Sequence, residues 1–372
     1  MTRPAGSKLR WVVKVGSALI TAEKTGLNFN NIRHWCQQLA ALAEDNIELV
    51  LVSSGSIAQG MHQLQWKTRP HAIHELQAAA AVGQMGLVKT YQSELDRYNI
   101  KTAQVLLTHE DLSNRKRYLN ARSTLSTLLK LAVLPVVNEN DTVTTDEIRF
   151  GDNDNLAALV SNLIGADRLV ILTDQIGLYD KDPGFHDNAQ LVESGTAGDP
   201  ALLSMAGSSG SAVGSGGMKT KLLAAQRAAR AGTETIIASG REHNVLVRLA
   251  QGESIGTRLH SDKPKLDARK QWLANQLKVG GILTLDRGAI SSLADGTSSL
   301  LAIGITAVSG EFSRGTLVSC SDQNGQEVAR GLANYGSADI AKIVGCHSGV
   351  IEQKLGYIDE PEIINRDNLV NL

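Results

Sequence analysis

LPVVNENDTVTTDEIRFGDNDNL, residues 134–156, concentrates more uncompensated polar chemistry than any other part of the chain. The apolar run from Leu131 to Val137 reads as a buried strand. It ends in Asn138-Glu139-Asn140-Asp141, which puts amides and carboxylates at a strand's carboxyl end, where ligands bind in open α/β sheets. Thirteen residues after Asn138 comes Gly151-Asp152-Asn153-Asp154-Asn155, followed by Leu156, Leu159, Val160, Leu163 and Ile164 at helical spacing. This second cluster therefore falls at a helix N-terminus, with free N–H groups and a positive dipole end. Turns and caps favour Asn and Asp without any ligand, and either cluster alone reads that way. Two within twenty residues read as a substrate cradle.

Upstream, Arg10 to Val15 reads as a strand ending in Lys14-Val15-Gly16-Ser17. An unpaired buried ammonium is costly, so Lys14 either lies on an exposed edge or reaches an anion at the strand end; the strand alone leaves both open. Ile32, Trp35, Cys36, Leu39 and Leu42 mark an amphipathic helix, and Ile47 to Val52 a strand that ends in Ser53-Ser54-Gly55-Ser56. Small residues there let backbone N–H groups approach a phosphate or carboxylate, although an empty βα turn uses the same ones. Ala72 to Tyr98 is a helical pattern interrupted by Gly83 and Gly86, with close packing suggested by Ala78 to Ala81. His71 and His74 have no acidic partner pattern and are read as surface residues.

Further strands are expected at Thr102 to Thr108, Arg168 to Thr173 (ending in Thr173-Asp174), Glu234 to Ala238 and Ile255 to His260, with helices at Arg117 to Lys130 and Asn244 to Ala250. Gly207 to Lys221, GSSGSAVGSGGMKTK, leads straight into a helix from Met218 to Ala231 and carries neither Walker A nor dinucleotide spacing. The strands are continuous apolar runs separated mostly by helices, so the expected fold is α/β, a mostly parallel sheet sandwiched by helices. Residues 1–260 make that domain, 261–279 a linker, and 280–372, with short alternating runs between glycines, a small β-rich barrel with a C-terminal extension.

The chain has 372 residues, 42% of them hydrophobic, and a formal net charge of −1, which excludes a disordered chain and gives no electrostatic reason to expect nucleic acid or an anionic membrane as partner. Three widely spaced cysteines, Cys36, Cys320 and Cys346, argue against a disulfide framework or zinc site. No metal-ligating residues are assigned. No run approaches ~20 apolar residues, and a soluble cytoplasmic protein is expected. Lys14, the small residues after the second strand, the two Asn/Asp clusters, Thr173-Asp174 and a Gly-rich loop carrying Lys221 read as two anion sites facing each other. That suits phosphoryl transfer, in which a protein mainly positions reactants and neutralises charge. A carboxylate acceptor, with a pKa near ~4.3, needs no general base.

These same segments resemble the bacterial glutamate 5-kinases: Val12 to Ser17, Val52 to Ile57, Val137 to Asp141, Gly151 to Leu156, Leu172 to Asp174 and Gly214 to Lys221. The first ~260 residues resemble the amino-acid kinase fold, and the tail, with Gly310 to Gly315, resembles a PUA domain. The resemblance implies ATP- and Mg2+-dependent phosphorylation of the γ-carboxylate of L-glutamate in proline synthesis. It implies that Lys14, Lys221 and Asp154 are catalytic. Ser54, Gly55, Asn138, Asp141 and Asn153 would hold glutamate, Asp141 through the α-ammonium. Lys14, Gly16, Thr173, Asp174 and Ser215, Gly216, Gly217, Met218, Lys219, Thr220 and Lys221 would hold ATP. Proline as feedback inhibitor, a homo-oligomer and transfer of the product to glutamyl phosphate reductase follow from the same resemblance. Ser17 and Ser53 stand where the family often has Thr, and Lys219 where a small polar residue is common.

N-acetylglutamate, aspartate, carbamate and uridylate kinases share the lysine and glycine-loop logic, and the Asn138–Asp141 and Gly151–Asn155 pair is what favours glutamate. A non-enzymatic RNA-binding role would rest on the tail alone. From Gly281 to Leu372 there are six Lys/Arg against eleven Asp/Glu, whereas nucleic-acid affinity comes largely from basic side chains on phosphates. Lys263, Lys265, Arg269 and Lys270 form a basic run outside it. The tail is therefore expected to serve regulation or assembly.

Overall fold

The computed structural model describes residues 8–22, 26–144, 153–207, 217–262, 279–294 and 298–371. The chain forms two compact units, Met1–Leu112 with Arg122–Leu266, and Ser113–Ala121 with Asp267–Leu372. In the first unit the strands are β1 (Leu9–Val15), β2 (Thr21–Ala22), β3 (Gly26–Leu27), β4 (Ile47–Val52), β5 (Thr102–Leu107), β6 (Leu134–Glu139), β7 (Arg168–Thr173), β8 (Ser194–Thr196), β9 (Glu234–Ser239) and β10 (Thr257–His260). Eight of them form one sheet in the order β5-β6-β4-β1-β7-β9-β10-β8, and β2 pairs with β3 as a separate ribbon. All neighbours in the sheet are parallel except β9 and β10.

After β1 the chain places β4 beside it, β5 at the edge and β6 between those two, then returns to place β7 and β9 on the other side. The order thus reverses beside β1, and in open sheets the crevice at such a switch point, outside the strands' carboxyl ends, is the ligand site. Successive strand residues face opposite sides. Trp11, Val13 and Val15 enter one apolar core with Ile32, Trp35, Leu39 and Leu87, so Val12 and Lys14 face the other side. The Asp154–Ile164 helix packs there against β1, and the Met218–Ala229 helix packs on it in turn. Lys14 is therefore on a central strand, not an exposed edge.

The long helical pattern from Ala72 to Tyr98 is one helix, Ile73–Leu95, that runs unbroken through Gly83 and Gly86. Its glycines serve a crossing. A β-carbon on Gly83 would sit 1.9 Å from the Ser56 carbonyl oxygen and 2.3 Å from the Gly60 amide nitrogen, and one on Gly60 would sit 1.7 Å from the Ala79 carbonyl oxygen. The Ser56–Gln63 helix thus lies backbone to backbone on the longer one. Gly83→Ala is expected to lower stability by about 1–3 kcal/mol, the usual cost of overpacking. The check is the midpoint of thermal unfolding, and an unchanged midpoint would show that the helices do not cross so closely.

Strand β6 runs on through Asn138 and Glu139, where the apolar pattern had placed the strand's end. Its partner β5 continues the ladder beside them, Leu106 with Asn138 and Leu107 with Glu139. The edge strand β8 and the short helices His109–Ser113 and Pro200–Gly207 carried no periodic signal and were not anticipated.

The second unit holds a five-stranded sheet of β11 (Gly281–Leu285), β12 (Ile305–Ser309), β13 (Leu317–Ser321), β14 (Glu327–Leu332) and β15 (Leu369–Asn371), ordered β12-β11-β13-β14-β15. Its core is Leu283, Leu285, Val318, Cys320, Ala329, Ile340, Ile343 and Ile364. Burial pushes the thiols of Cys36 and Cys320 up to about 12, so neither is a thiolate at neutral pH. Lys263, Lys265, Arg269 and Lys270 lie outside the described residues, as does most of the expected linker.

Candidate functional site

Two groups of side chains meet at the carboxyl ends of the central strands. On the β4 and β6 side, the turn after β4 starts the Ser56–Gln63 helix through Gly55, whose φ of 101° is open to glycine and strained for other residues. Ser53 Oγ lies 3.1 Å from the Tyr91 hydroxyl, which anchors the turn to the long helix. Asn153, just before its helix, donates from Nδ2 to the Ser53 carbonyl oxygen at 2.5 Å, to Asn138 Oδ1 at 2.7 Å and, more weakly, to Ser54 Oγ at 3.3 Å. Asn138 Nδ2 donates to Gln84 Oε1 at 2.6 Å. Ser56 Oγ donates to Asp141 Oδ2 at 2.9 Å. Ser54, Gly55, Asn138, Asp141 and Asn153 thus fall in one cluster, although they come from three separate stretches of chain.

On the β1 and β7 side lies a cavity of about 520 Å3 whose lining includes Lys14, Gly16, Thr173, Asp174, Gly217, Met218 and Lys221. The Gly16 amide donates to the Leu172 carbonyl at 3.0 Å and ties the β1 turn to β7, while Thr173 Oγ1 donates to Asp174 Oδ1 at 3.1 Å. Lys219 is exposed and is not part of the cavity wall. Ser215 and Gly216 lie outside the described residues.

Asp154 joins the two groups. It is the first residue of its helix, next to Asn153, and its side chain is fully buried. One carboxylate oxygen pairs with Lys14 Nζ; the other lies 3.1 Å from Lys221 Nζ and accepts from Thr220 Oγ1 at 3.2 Å. Lys14 and Lys221 are 2% and 4% exposed, so both ammonium groups are held in a weakly screening interior where their pull on an anion is strong.

Residues that the sequence did not single out also belong here. Gln84 contacts the first cluster, and Tyr179, Lys181, Asp182 and Met205 line the cavity. A glutamine in an alanine-rich helix and a lysine in a loop both read as solvated surface, so only the tertiary arrangement exposes them.

A mostly parallel sheet, with two lysines on one buried carboxylate at its carboxyl ends and a cavity beside them, is the kind of arrangement that phosphoryl transfer calls for. The family profile agrees: the chain belongs to the amino acid kinase family, matched over residues 9–239, and carries a PUA domain over residues 281–355. Within that family it is similar to glutamate 5-kinases along almost its whole length. It is 59% identical over 363 residues to the glutamate 5-kinase of Nitrosospira multiformis, covering 98% of each chain. It is 59% identical over 367 residues to that of Thioalkalivibrio sulfidiphilus, covering 99% of this chain and 98% of the relative. It is 58% identical over 359 residues to that of Methylobacillus flagellatus, covering 96% of each.

Proposed function

We infer that this protein is a kinase that transfers the γ-phosphoryl group of ATP to the γ-carboxylate of L-glutamate, the first step of proline biosynthesis. Identity of 57–59% to glutamate 5-kinases across the chain supports the reaction. The observation that carries the mechanism is Asp154, which holds Lys14 and Lys221 where the amide cluster meets the cavity.

In this reading glutamate sits against Ser54, Gly55, Asn138, Asp141 and Asn153, with its α-ammonium on Asp141. ATP fills the cavity over Gly16, Thr173, Asp174 and the start of the Met218–Ala229 helix. A γ-carboxylate oxygen attacks the γ-phosphorus as the bond to the β-phosphate oxygen breaks, giving an acyl phosphate and ADP. The carboxylate is already ionised at neutral pH, so no proton has to be removed. Charge on the transferring group falls to Lys14 and Lys221, whose ammonium groups cannot drift while Asp154 holds them. That is preorganised electrostatic stabilisation, the largest catalytic contribution in most phosphoryl transfers.

A magnesium ion bound with the nucleotide would supply neutralisation of phosphate charge. Asp154 is engaged with the two lysines, and among the described residues no group of three or more His, Cys, Asp or Glu converges on a point. An ion carried by the phosphates and waters fits this donor set, as magnesium usually is, with Asp174 and Asp182 on the cavity wall as oxygen donors within the site.

We place the protein in the cytosol. Its three cysteines are unbridged, and no helix among the described residues is long and apolar enough to cross a membrane. Feedback by proline, a homo-oligomer and hand-over of the unstable acyl phosphate to glutamyl phosphate reductase complete the proposal. The acidic tail is assigned to regulation or assembly.

The deciding measurement is ADP release with glutamate, together with hydroxamate formed when hydroxylamine traps the product. Glutamate-dependent hydroxamate is expected. Turnover with N-acetylglutamate, aspartate or carbamate and none with glutamate would overturn the assignment.

A further inference from the structure

Gln84 is the end of a polar relay whose direction is set elsewhere. The Ser53 carbonyl oxygen can only accept, so Asn153 must present Nδ2 to it. The same Nδ2 faces Asn138 Oδ1, which turns Asn138 Nδ2 toward Gln84 Oε1. Gln84 is thereby fixed with its own NH2 group leading away from the relay. That group is buried in a residue 8% exposed, and it has no hydrogen-bond partner among the described residues. The backbone behind it cannot retreat, because Gly83 lies against Ser56 and Gly60. A buried donor without an acceptor is costly. It persists at little cost where a ligand oxygen completes it.

We propose that Gln84 is a further acceptor-site residue, donating its side-chain amide N–H to a carboxylate oxygen of the bound amino acid while its carbonyl orients Asn138. The inference rests on reading Asn138 and Asn153 as acceptor contacts. Its chemistry is specific: the relay presents a donor, and a carboxylate is a pure acceptor. Because both oxygens of the Gln84→Glu side chain accept when ionised, that variant keeps the bond to Asn138 and turns the donor into a repelling anion. Protonation restores an O–H donor, and burial raises a carboxyl pKa toward neutrality.

The test is steady-state kinetics of the full-length protein with glutamate and MgATP across pH, with thermal unfolding as a check on folding. Gln84→Glu is expected to raise the glutamate KM at least about tenfold at pH ~8, leave the ATP KM within about twofold, and recover toward wild type as pH falls to ~6, as protonation of a buried carboxyl predicts. Gln84→Met, which lacks both donor and acceptor, should show a raised glutamate KM without pH recovery, and it serves alone if the glutamate variant does not fold. A glutamate KM unchanged in the variants that fold, alongside a raised one in Asn138→Ala, would overturn this inference alone. An unchanged glutamate KM in Asn138→Ala would overturn the acceptor-site reading as well. Equal loss of affinity for glutamate and ATP would mark Gln84 as structural and also overturn the proposal.

Discussion

Lys221→Ala is expected to lower kcat by roughly 10²–10³-fold, the usual loss when one preorganised donor to a transition-state oxygen is removed, with little change in the KM for glutamate. Lys221 starts inside the second turn of its helix, is almost fully buried, and reaches Asp154 at 3.1 Å. Its charge matters most when charge is spreading over the transferring group, and an interaction confined to the transition state appears in kcat rather than KM. Lys14→Ala should behave likewise, because it sits on the other oxygen of the same carboxylate. Asp154→Ala should do more, since it leaves two buried ammonium groups without the carboxylate that holds them, and breaking a buried pair costs about 3–5 kcal/mol. Single-turnover kinetics beside thermal unfolding would separate lost chemistry from lost folding. A Lys221→Ala enzyme with wild-type kcat would remove the phosphoryl role from this helix.

Asp141→Ala should raise the KM for glutamate by about 10–100-fold and leave kcat and the ATP KM nearly unchanged. A hydrogen bond to a charged group contributes about 1.5–3 kcal/mol, and each 1.4 kcal/mol is tenfold in affinity. The carboxylate is oriented by Ser56 Oγ at 2.9 Å, so Ser56→Ala should give a smaller increase of the same kind. The motivating feature is a half-buried carboxylate, Asp141, beside the amides and hydroxyls of Asn138, Asn153, Ser54 and Ser56, suited to an ammonium group. If Asp141→Ala instead lowered kcat alone, the α-ammonium assignment would fail. If its discrimination against N-acetylglutamate were also unaltered, the acceptor's amino group would have to be recognised elsewhere.

Much of this was legible along the chain, for a physical reason. Strands in a two-sided parallel sheet are buried on both faces, so Ile47–Val52 and Arg168–Thr173 stand out as unbroken apolar runs, and the polar residues that follow them fall at the carboxyl ends where ligands bind. Local composition therefore locates Ser54, Thr173 and Asp174, and the helix-start clusters locate Asn153 and Asp154. What composition cannot carry is which strand lies beside which. The position of Lys14 follows only from β1 lying between β4 and β7, with its Val12 and Lys14 side chains on the face of the Asp154 helix. Gly83 only interrupts the helical pattern of the sequence, because its value lies in a second helix more than twenty residues away, whose backbone it admits. Gln84 carried no signal at all. A glutamine on a helix is ordinarily solvated, and only the crossing at Gly83 and the amide relay from Ser53 through Asn153 and Asn138 turn it into a buried donor. Residue types and local periodicity determined the strands, helices and reactive groups of this protein; the pairing order of the sheet and the close helix crossing decided which of those groups meet, because such contacts depend on distances between segments that no local pattern encodes.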